Sequence, residues 1–208
     1  MKVLPMNDKE TLKKAVAILK KGGAVVFPTD TSYGLAVDAL NPKALEKIYS
    51  IKGRRKNMPC SIIPPTRAYM RSLAMISSEA LLLMRKYWPG ALTLILPQRK
   101  QLPDLISKEG GVAFRYPDYA LTIALARALG RPITATSANR AGQGDLYDSK
   151  DIMALYAKRK NRPDALIDAG ILPRRLPSTI VKINENGNFE ILRQGSLKID
   201  KKLFGRVQ

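Results

Sequence analysis

Ala24-Val25-Val26-Phe27-Pro28-Thr29-Asp30-Thr31-Ser32-Tyr33-Gly34-Leu35 passes from an apolar run straight into hydroxyls, a carboxylate and a glycine. Val25, Val26 and Phe27 have the β-branched and aromatic character of a buried strand, and Pro28, which has no backbone donor, ends its ladder. Polar side chains that follow directly on such a strand stand where they can face a ligand. An ordinary turn rich in Thr, Asp and Ser has the same composition, so this segment alone leaves both readings open.

The flanking sequence places that strand in an α/β pattern. Upstream, Leu12, Ala15, Val16 and Leu19 recur at helical spacing before Gly22-Gly23, and Asn7 with Glu10 is spaced as a capping box. Downstream, Asn41-Pro42 reads as an N-cap followed by proline at the first helical position, and the helix it opens ends near Gly53. Cys60 to Ile63 reads as a short strand. Ser77-Ser78 caps a helix through Tyr87, Ala91 to Leu96 and Val112 to Arg115 read as strands, and Ala120 to Leu129 as a helix closed by Gly130. Ile133 to Thr136 is a further strand, and Asp148-Ser149 opens another helix. Ala165 to Asp168, Thr179 to Ile183 and Phe189 to Arg193 complete the strands, the last two joined through Asn186-Gly187-Asn188. Strands and helices interleave without a regular βα repeat, which predicts an α/β fold with a mixed, twisted sheet.

With 208 residues, 45% of them hydrophobic, the chain is long enough for one substantial core. We expect one domain over residues 1–195 and a short basic tail over 196–208. The 36 Lys and Arg against 17 Asp and Glu give a net charge of +19. Such a surplus concentrates phosphate-bearing partners near the surface, nucleotides and RNA among them, although a basic solvated surface has the same composition. Dense runs stand at Lys52 to Lys56, Lys158 to Arg162 and Lys198 to Arg206.

One cysteine, Cys60, and no histidine remove several chemistries. No disulfide closes within the chain, no Cys/His zinc site assembles, and no Ser-His or Cys-His nucleophile pair exists. A reducing cytoplasm fits this usage. No apolar run approaches the about 18 residues of a membrane span, and the N-terminus lacks a signal-peptide core, so a soluble cytoplasmic protein is expected.

Four segments carry candidate chemistry. Neither a Gly-x-x-x-x-Gly-Lys loop nor a Gly-x-Gly-x-x-Gly fingerprint is present, so any ATP is held another way. Lys52 and Arg54 flank Gly53 at a helix C-terminus, where two cations can neutralise triphosphate oxygens or cap helix carbonyls. Ile133-Thr134-Ala135-Thr136-Ser137-Ala138-Asn139 is a second apolar strand ending in hydroxyls and an amide, suited to a crevice at strand ends or to helix capping. Arg115, at the end of an apolar strand, needs an anion: a substrate carboxylate or an internal Asp or Glu. Pro177-Ser178-Thr179-Ile180 and Leu192-Arg193-Gln194-Gly195 add polar groups beside the last strands.

Taken in order, these segments resemble the YrdC/TsaC family of threonylcarbamoyl-AMP synthases, in its short single-domain form. The ordered set is Pro-Thr-Asp-Thr-x-Tyr-Gly-Leu, Lys-Gly-Arg, Pro-Gly-x-Leu-Thr, Val-x-x-Arg-x-Pro, Thr-Ser-Ala-Asn, Pro-Ser-Thr-Ile and Leu-Arg-x-Gly. The resemblance implies a twisted α/β fold around a large basic cavity. It also implies synthesis of threonylcarbamoyl-adenylate and pyrophosphate from L-threonine, bicarbonate and ATP, for modification of the tRNA adenosine beside the anticodon. By matching motif positions, Thr31, Tyr33, Arg115 and Ser178 would contact threonine. Lys52, Arg54, Ser137, Asn139 and Arg193 would contact ATP, Lys52 and Arg54 being the catalytic cations, with Mg2+ bridging phosphates and no protein metal site. Implied partners are tRNA or double-stranded RNA and a downstream threonylcarbamoyl-transferase complex. The pattern departs at Arg55, where the family has Pro, at Met58-Pro59-Cys60 and Ile63, and at Asp145-Leu146-Tyr147, where Ser-Pro-Thr is common. A YciO-like paralogue and a non-catalytic RNA-binding module are the alternatives. The first shares the Pro-Thr-Asp signature, and the second would use the charge without the cavity residues.

Overall fold

The computed structural model describes residues 1–55 and 58–200; Lys56 and the part of the basic tail beyond residue 200 lie outside the described residues. The chain opens with β1 (Lys2–Pro5), a strand that the hydrophobic pattern does not announce because only Leu4 is buried. It forms by pairing in parallel with a strand far along the chain. Helix α1 (Thr11–Lys20) buries Ala15, Val16 and Leu19, as the spacing predicts. The capping box is a correction. Glu10 is the N-cap without a side-chain bond, and the nearby donor is satisfied by Asp8, whose Oδ1 accepts from the Glu10 N–H at 2.9 Å. The turn before the helix therefore closes on the shorter carboxylate, and Asn7 takes no part.

Strand β2 (Val25–Phe27) is fully buried, and the chain turns back through the polar cluster into β3 (Gly34–Ala36). Phe27 lies opposite Gly34, where a Cβ would come within 2.7 Å of the phenyl ring, so glycine is required by the ring's packing. In α2 (Pro42–Lys52), Asn41 accepts from the Ala44 N–H, and Gly53 closes the helix in the left-handed region at φ 60°. Then come β4 (Ile62–Ile63), the short α3 (Arg67–Met70), α4 (Ser78–Tyr87) capped by Ser77, β5 (Gly90–Pro97), β6 (Ser107–Lys108) and β7 (Gly111–Tyr116). Helix α5 (Ala120–Leu129) ends on Gly130 as expected.

The run Ile133 to Thr136 divides into β8 (Ile133–Thr134) and β9 (Thr136–Ser137). Helix α6 (Ser149–Tyr156) and strands β10 (Ala165–Asp168), β11 (Thr179–Ile183) and β12 (Phe189–Arg193) follow. The mixed pairing expected from the sequence is distributed over two sheets. One has the order β1-β10-β2-β3-β9; the other runs β12-β11-β5-β7-β4-β8, with β6 on β7. The division falls at Ala135, because β8 pairs with β4 while β9 pairs with β3. Thr134 ties the sheets together: its hydroxyl donates to the Leu35 carbonyl and accepts from the Val37 N–H, both at 3.0 Å. Residues 196–200 fold back on the body through Lys86 and Asp200 at 3.0 Å and through the Thr179 hydroxyl on the Leu197 carbonyl at 2.6 Å.

Candidate active site

Where the two sheets meet, a cavity of about 290 Å3 is walled by residues from the ends of both. The antiparallel register of β3 on β9 sets Gly34 opposite Ser137, which brings the two polar segments read from sequence side by side. Of the expected residues, Thr31, Tyr33, Arg54, Arg115, Ser137, Ser178 and Arg193 line this cavity; Lys52 and Asn139 stand behind its wall.

The 29–33 turn is cross-linked by the Thr29 side chain. The Thr29 hydroxyl donates to the Ser32 carbonyl at 2.7 Å and accepts from the Thr31 and Ser32 N–H groups, while its oxygen lies 3.1 Å from that of Thr31. Arg115 crosses from β7 to this turn, with its Nη2 2.8 Å from the Thr31 hydroxyl and 2.5 Å from an Asp30 oxygen. The two charged side chains are only 10% and 4% exposed. An internal carboxylate thus occupies one edge of the guanidinium, while its Nε is buried with no partner. Burial pushes the Arg115 pKa down and Asp30 opposes that shift. The arginine remains a cation facing the cavity with unspent donor capacity.

Tyr33 contributes differently. Its hydroxyl donates to the Gly170 carbonyl at 2.9 Å and accepts from the Ala169 N–H at 3.0 Å, and desolvation pushes its pKa up to about 12. The phenol therefore pins the 169–170 turn while the residue lines the cavity.

On the same sheet as Arg115, Arg193 of β12 donates from Nε and Nη2 to the Ser178 carbonyl at 3.1 and 2.9 Å. The Ser178 hydroxyl lies 2.8 Å from that of Thr93 and accepts from Arg193 at 3.2 Å. Gly195 permits this arrangement. A Cβ there would stand 2.1 Å from the Pro177 carbonyl oxygen and 2.5 Å from the Ser178 carbonyl carbon.

Lys52 and Arg54 part company after Gly53. Buried Lys52 donates to the carbonyls of Ser137 and Asn139, and the Ser137 hydroxyl donates to the Asn139 side-chain oxygen. Desolvation first, then the neighbouring Arg54 charge, lowers the Lys52 pKa to about 8. Arg54 lies in the cavity wall with long contacts to the Thr136 hydroxyl at 3.3 Å and the Pro59 carbonyl at 3.4 Å, and its buried Nε has no partner. Asp145 also lines the cavity, and no motif reasoning selected it as a site residue. Thr93 was within reach of the sequence, as the one polar residue in the run Leu92 to Ile95.

Among the described residues, no helix is long and apolar enough to cross a membrane, and no three acidic, cysteine or histidine side chains gather to hold a metal.

Comparison with known proteins identifies the family to which this fold belongs. A family model named for Sua5, YciO and YrdC, and described as telomere recombination, matches residues 17–195. A putative threonylcarbamoyl-AMP synthase of Methanocaldococcus jannaschii is 34% identical over 205 residues, covering 97% of this chain and 95% of that protein. The crystal structure of P. abyssi Sua5 complexed with L-threonine superposes with a TM-score of 0.88 at 28% identity, over 98% of this chain and 60% of Sua5. E. coli YciO superposes with a TM-score of 0.81 at 25% identity, over 93% of this chain and 94% of YciO. The chain is a member of the Sua5/YciO/YrdC family.

Proposed function

We propose that the protein is a threonylcarbamoyl-AMP synthase, a nucleotidyltransferase acting on ATP, L-threonine and bicarbonate. The observation that carries this reading is the convergence of Arg54, Arg115 and Arg193 with the hydroxyls of Thr31, Ser137 and Ser178 around one cavity. Threonine's ammonium group loses a proton, and the resulting amine and bicarbonate form a carbamate with loss of water. A carbamate oxygen then attacks the α-phosphorus of ATP, forming one P–O bond as the bond to pyrophosphate breaks. Such a reaction needs two anions held in line and the growing charge neutralised, and a histidine-free site rich in guanidinium can do both.

Arg115, beside Thr31, is assigned to the threonine carboxylate, with Ser178 on the same substrate. Arg54 and Arg193 are assigned to the phosphates and Ser137 to the nucleotide, with Asn139 acting on the nucleotide through the Ser137 hydroxyl that it holds. Lys52 acts by holding the 137–139 backbone in place. Mg2+ would enter with the triphosphate and supply neutralisation of its charge, since the described residues offer no three-ligand metal cluster. Residues 1–195 would form the catalytic unit. The product is a mixed anhydride that an acyl-accepting adenosine of tRNA would consume through a transferase complex. The net charge of +19 favours a passing encounter with that RNA.

The test is pyrophosphate release from ATP and bicarbonate with and without L-threonine, using serine and no amino acid as controls. Threonine-dependent release is expected. Its absence, with the protein folded, would move the chain to a YciO-like role, and salt-sensitive RNA binding without turnover would favour a binding module.

A further inference from the structure

Asp145 is the single carboxylate among the residues that line the cavity, whose walls also carry the guanidinium groups of Arg54, Arg115 and Arg193. It is half-buried, and among the described residues its side chain makes no hydrogen bond and no ion pair within 4 Å. A carboxylate in a cationic cavity without direct pairing has a field still to be used. That field reaches the cations: it favours the charged forms of Arg115 and Arg193 and of Lys52 behind the wall. For a ligand that is only anionic, such as a triphosphate, Asp145 is a repulsive element. For a zwitterion it completes the site, because the carboxylate end can take an arginine and the ammonium end can take Asp145.

We propose that Asp145 is the specificity residue that receives the α-ammonium group of the amino-acid substrate. This assignment rests on the synthase reading and deepens it. It explains why a cavity shaped for anions keeps one negative charge, and it orients the ligand so that its nitrogen lies at the Asp145 side and its carboxylate at an arginine. Asp145 is fixed for this purpose by its neighbours, since the Leu146 carbonyl accepts from the Tyr33 N–H at 3.0 Å and the Asp148 side chain caps α6. On the preceding side the Gln143 carbonyl accepts from the Asn139 side-chain amide, so a loop tied before and after the residue holds the carboxylate's position without occupying its oxygens.

The test compares L-threonine with 3-hydroxybutanoate, which lacks the amino group, by calorimetric binding to the wild type and to Asp145→Asn, alongside steady-state pyrophosphate release. A hydrogen-bonded charge pair supports about a tenfold effect. The variant is expected to bind L-threonine about tenfold more weakly and 3-hydroxybutanoate no more weakly than the wild type does, with KM for ATP no higher. Asp145→Glu should recover part of the loss. Equal weakening of both ligands would show a merely structural role, and a change confined to ATP would place Asp145 on the nucleotide; either overturns the assignment. Wild-type protein that turns over threonine while the variant is unaltered removes this proposal alone. Wild-type protein that neither binds nor turns over threonine removes the synthase reading with it.

Discussion

The Lys52 ammonium lies 2.8 Å from the Asn139 carbonyl oxygen and 3.4 Å from the Asn139 side-chain oxygen, and it also donates to the Ser137 carbonyl. One buried cation thus fastens the end of α2 to the loop that follows β9. Replacing it by Met keeps the aliphatic stem and strips the donor from two backbone carbonyls. Lys52→Met should lose about 1–3 kcal/mol of stability together with a large part of turnover. Chemical denaturation beside pyrophosphate release checks this, and unchanged stability would return Lys52 to a purely catalytic role.

The same residue predicts a pH dependence. Its folded pKa of about 8 lies below the ordinary 10.5, so between those values the unfolded chain binds more protons than the folded one. Stability rises with pH wherever that holds. Measured against Lys52→Met, whose other groups titrate alike, the wild type should gain stability as pH rises from about 8 toward 10.5 and lose that gain as pH falls through 8. Denaturation midpoints of both proteins at pH 7 and pH 9.5 decide it; a constant difference would mean that burial does not depress the lysine.

Local chemistry explains what was legible in the sequence. Asn41-Pro42, Ser77 and Gly130 mark helix ends by capping geometry, and the structure uses each of them so. Residues 24–35 and 133–139 announce polar groups at strand ends because the alternation of apolar and polar side chains is local. What escaped is set by distant partners. Strand β1 exists because β10 lies beside it, and the break at Ala135 exists because β4 and β3 belong to different sheets. Asp30 looked like one more polar turn residue, and only folding places it against Arg115. Lys52 and Arg54 looked like a pair, yet the left-handed turn at Gly53 separates them, one into the interior and one into the cavity wall.

Arg54 should behave unlike Lys52. Its contacts to Thr136 and Pro59 are long, and its Nε has no partner, so little of the fold depends on it. Arg54→Ala is expected to cut turnover at least about a hundredfold, in line with removing one cation from a developing charge, while stability stays within about 1 kcal/mol. Retained turnover would exclude Arg54 from the phosphate site.

Arg115 is coupled to Asp30, so its removal has two consequences. Arg115→Ala leaves a buried carboxylate without its cation, which costs about 3–5 kcal/mol. Any folded protein recovered should show a KM for threonine raised more than that for ATP. Asp30→Asn, which leaves Arg115 in place, should cost less stability and preserve more threonine affinity. Unfolding curves and the two KM values separate these effects, and a larger rise in the ATP value would reassign the arginine to the nucleotide.

The Leu-Arg-x-Gly segment can be probed without touching a charged group. Gly195 has no room for a methyl group, because the Pro177 carbonyl oxygen would lie 2.1 Å and the Ser178 carbonyl oxygen 2.7 Å from an added Cβ. Its N–H is also held by the Thr179 hydroxyl at 3.0 Å, which prevents easy retreat. Both crowded atoms are backbone, so relief requires the 177–178 segment or the end of β12 to move, and Arg193 grips the Ser178 carbonyl there. Overpacking of this kind costs about 1–3 kcal/mol. Gly195→Ala should therefore destabilise the fold by that amount and lower turnover, although its side chain carries no chemistry. Gly110→Ala is the control: nothing lies within 4 Å of its added Cβ, but its φ of 73° carries backbone strain without displacing the cavity wall. A loss of stability in both with turnover impaired only in Gly195→Ala is the expected pattern. Equal turnover in the two variants would mean that Ser178 and Arg193 do not need their present positions.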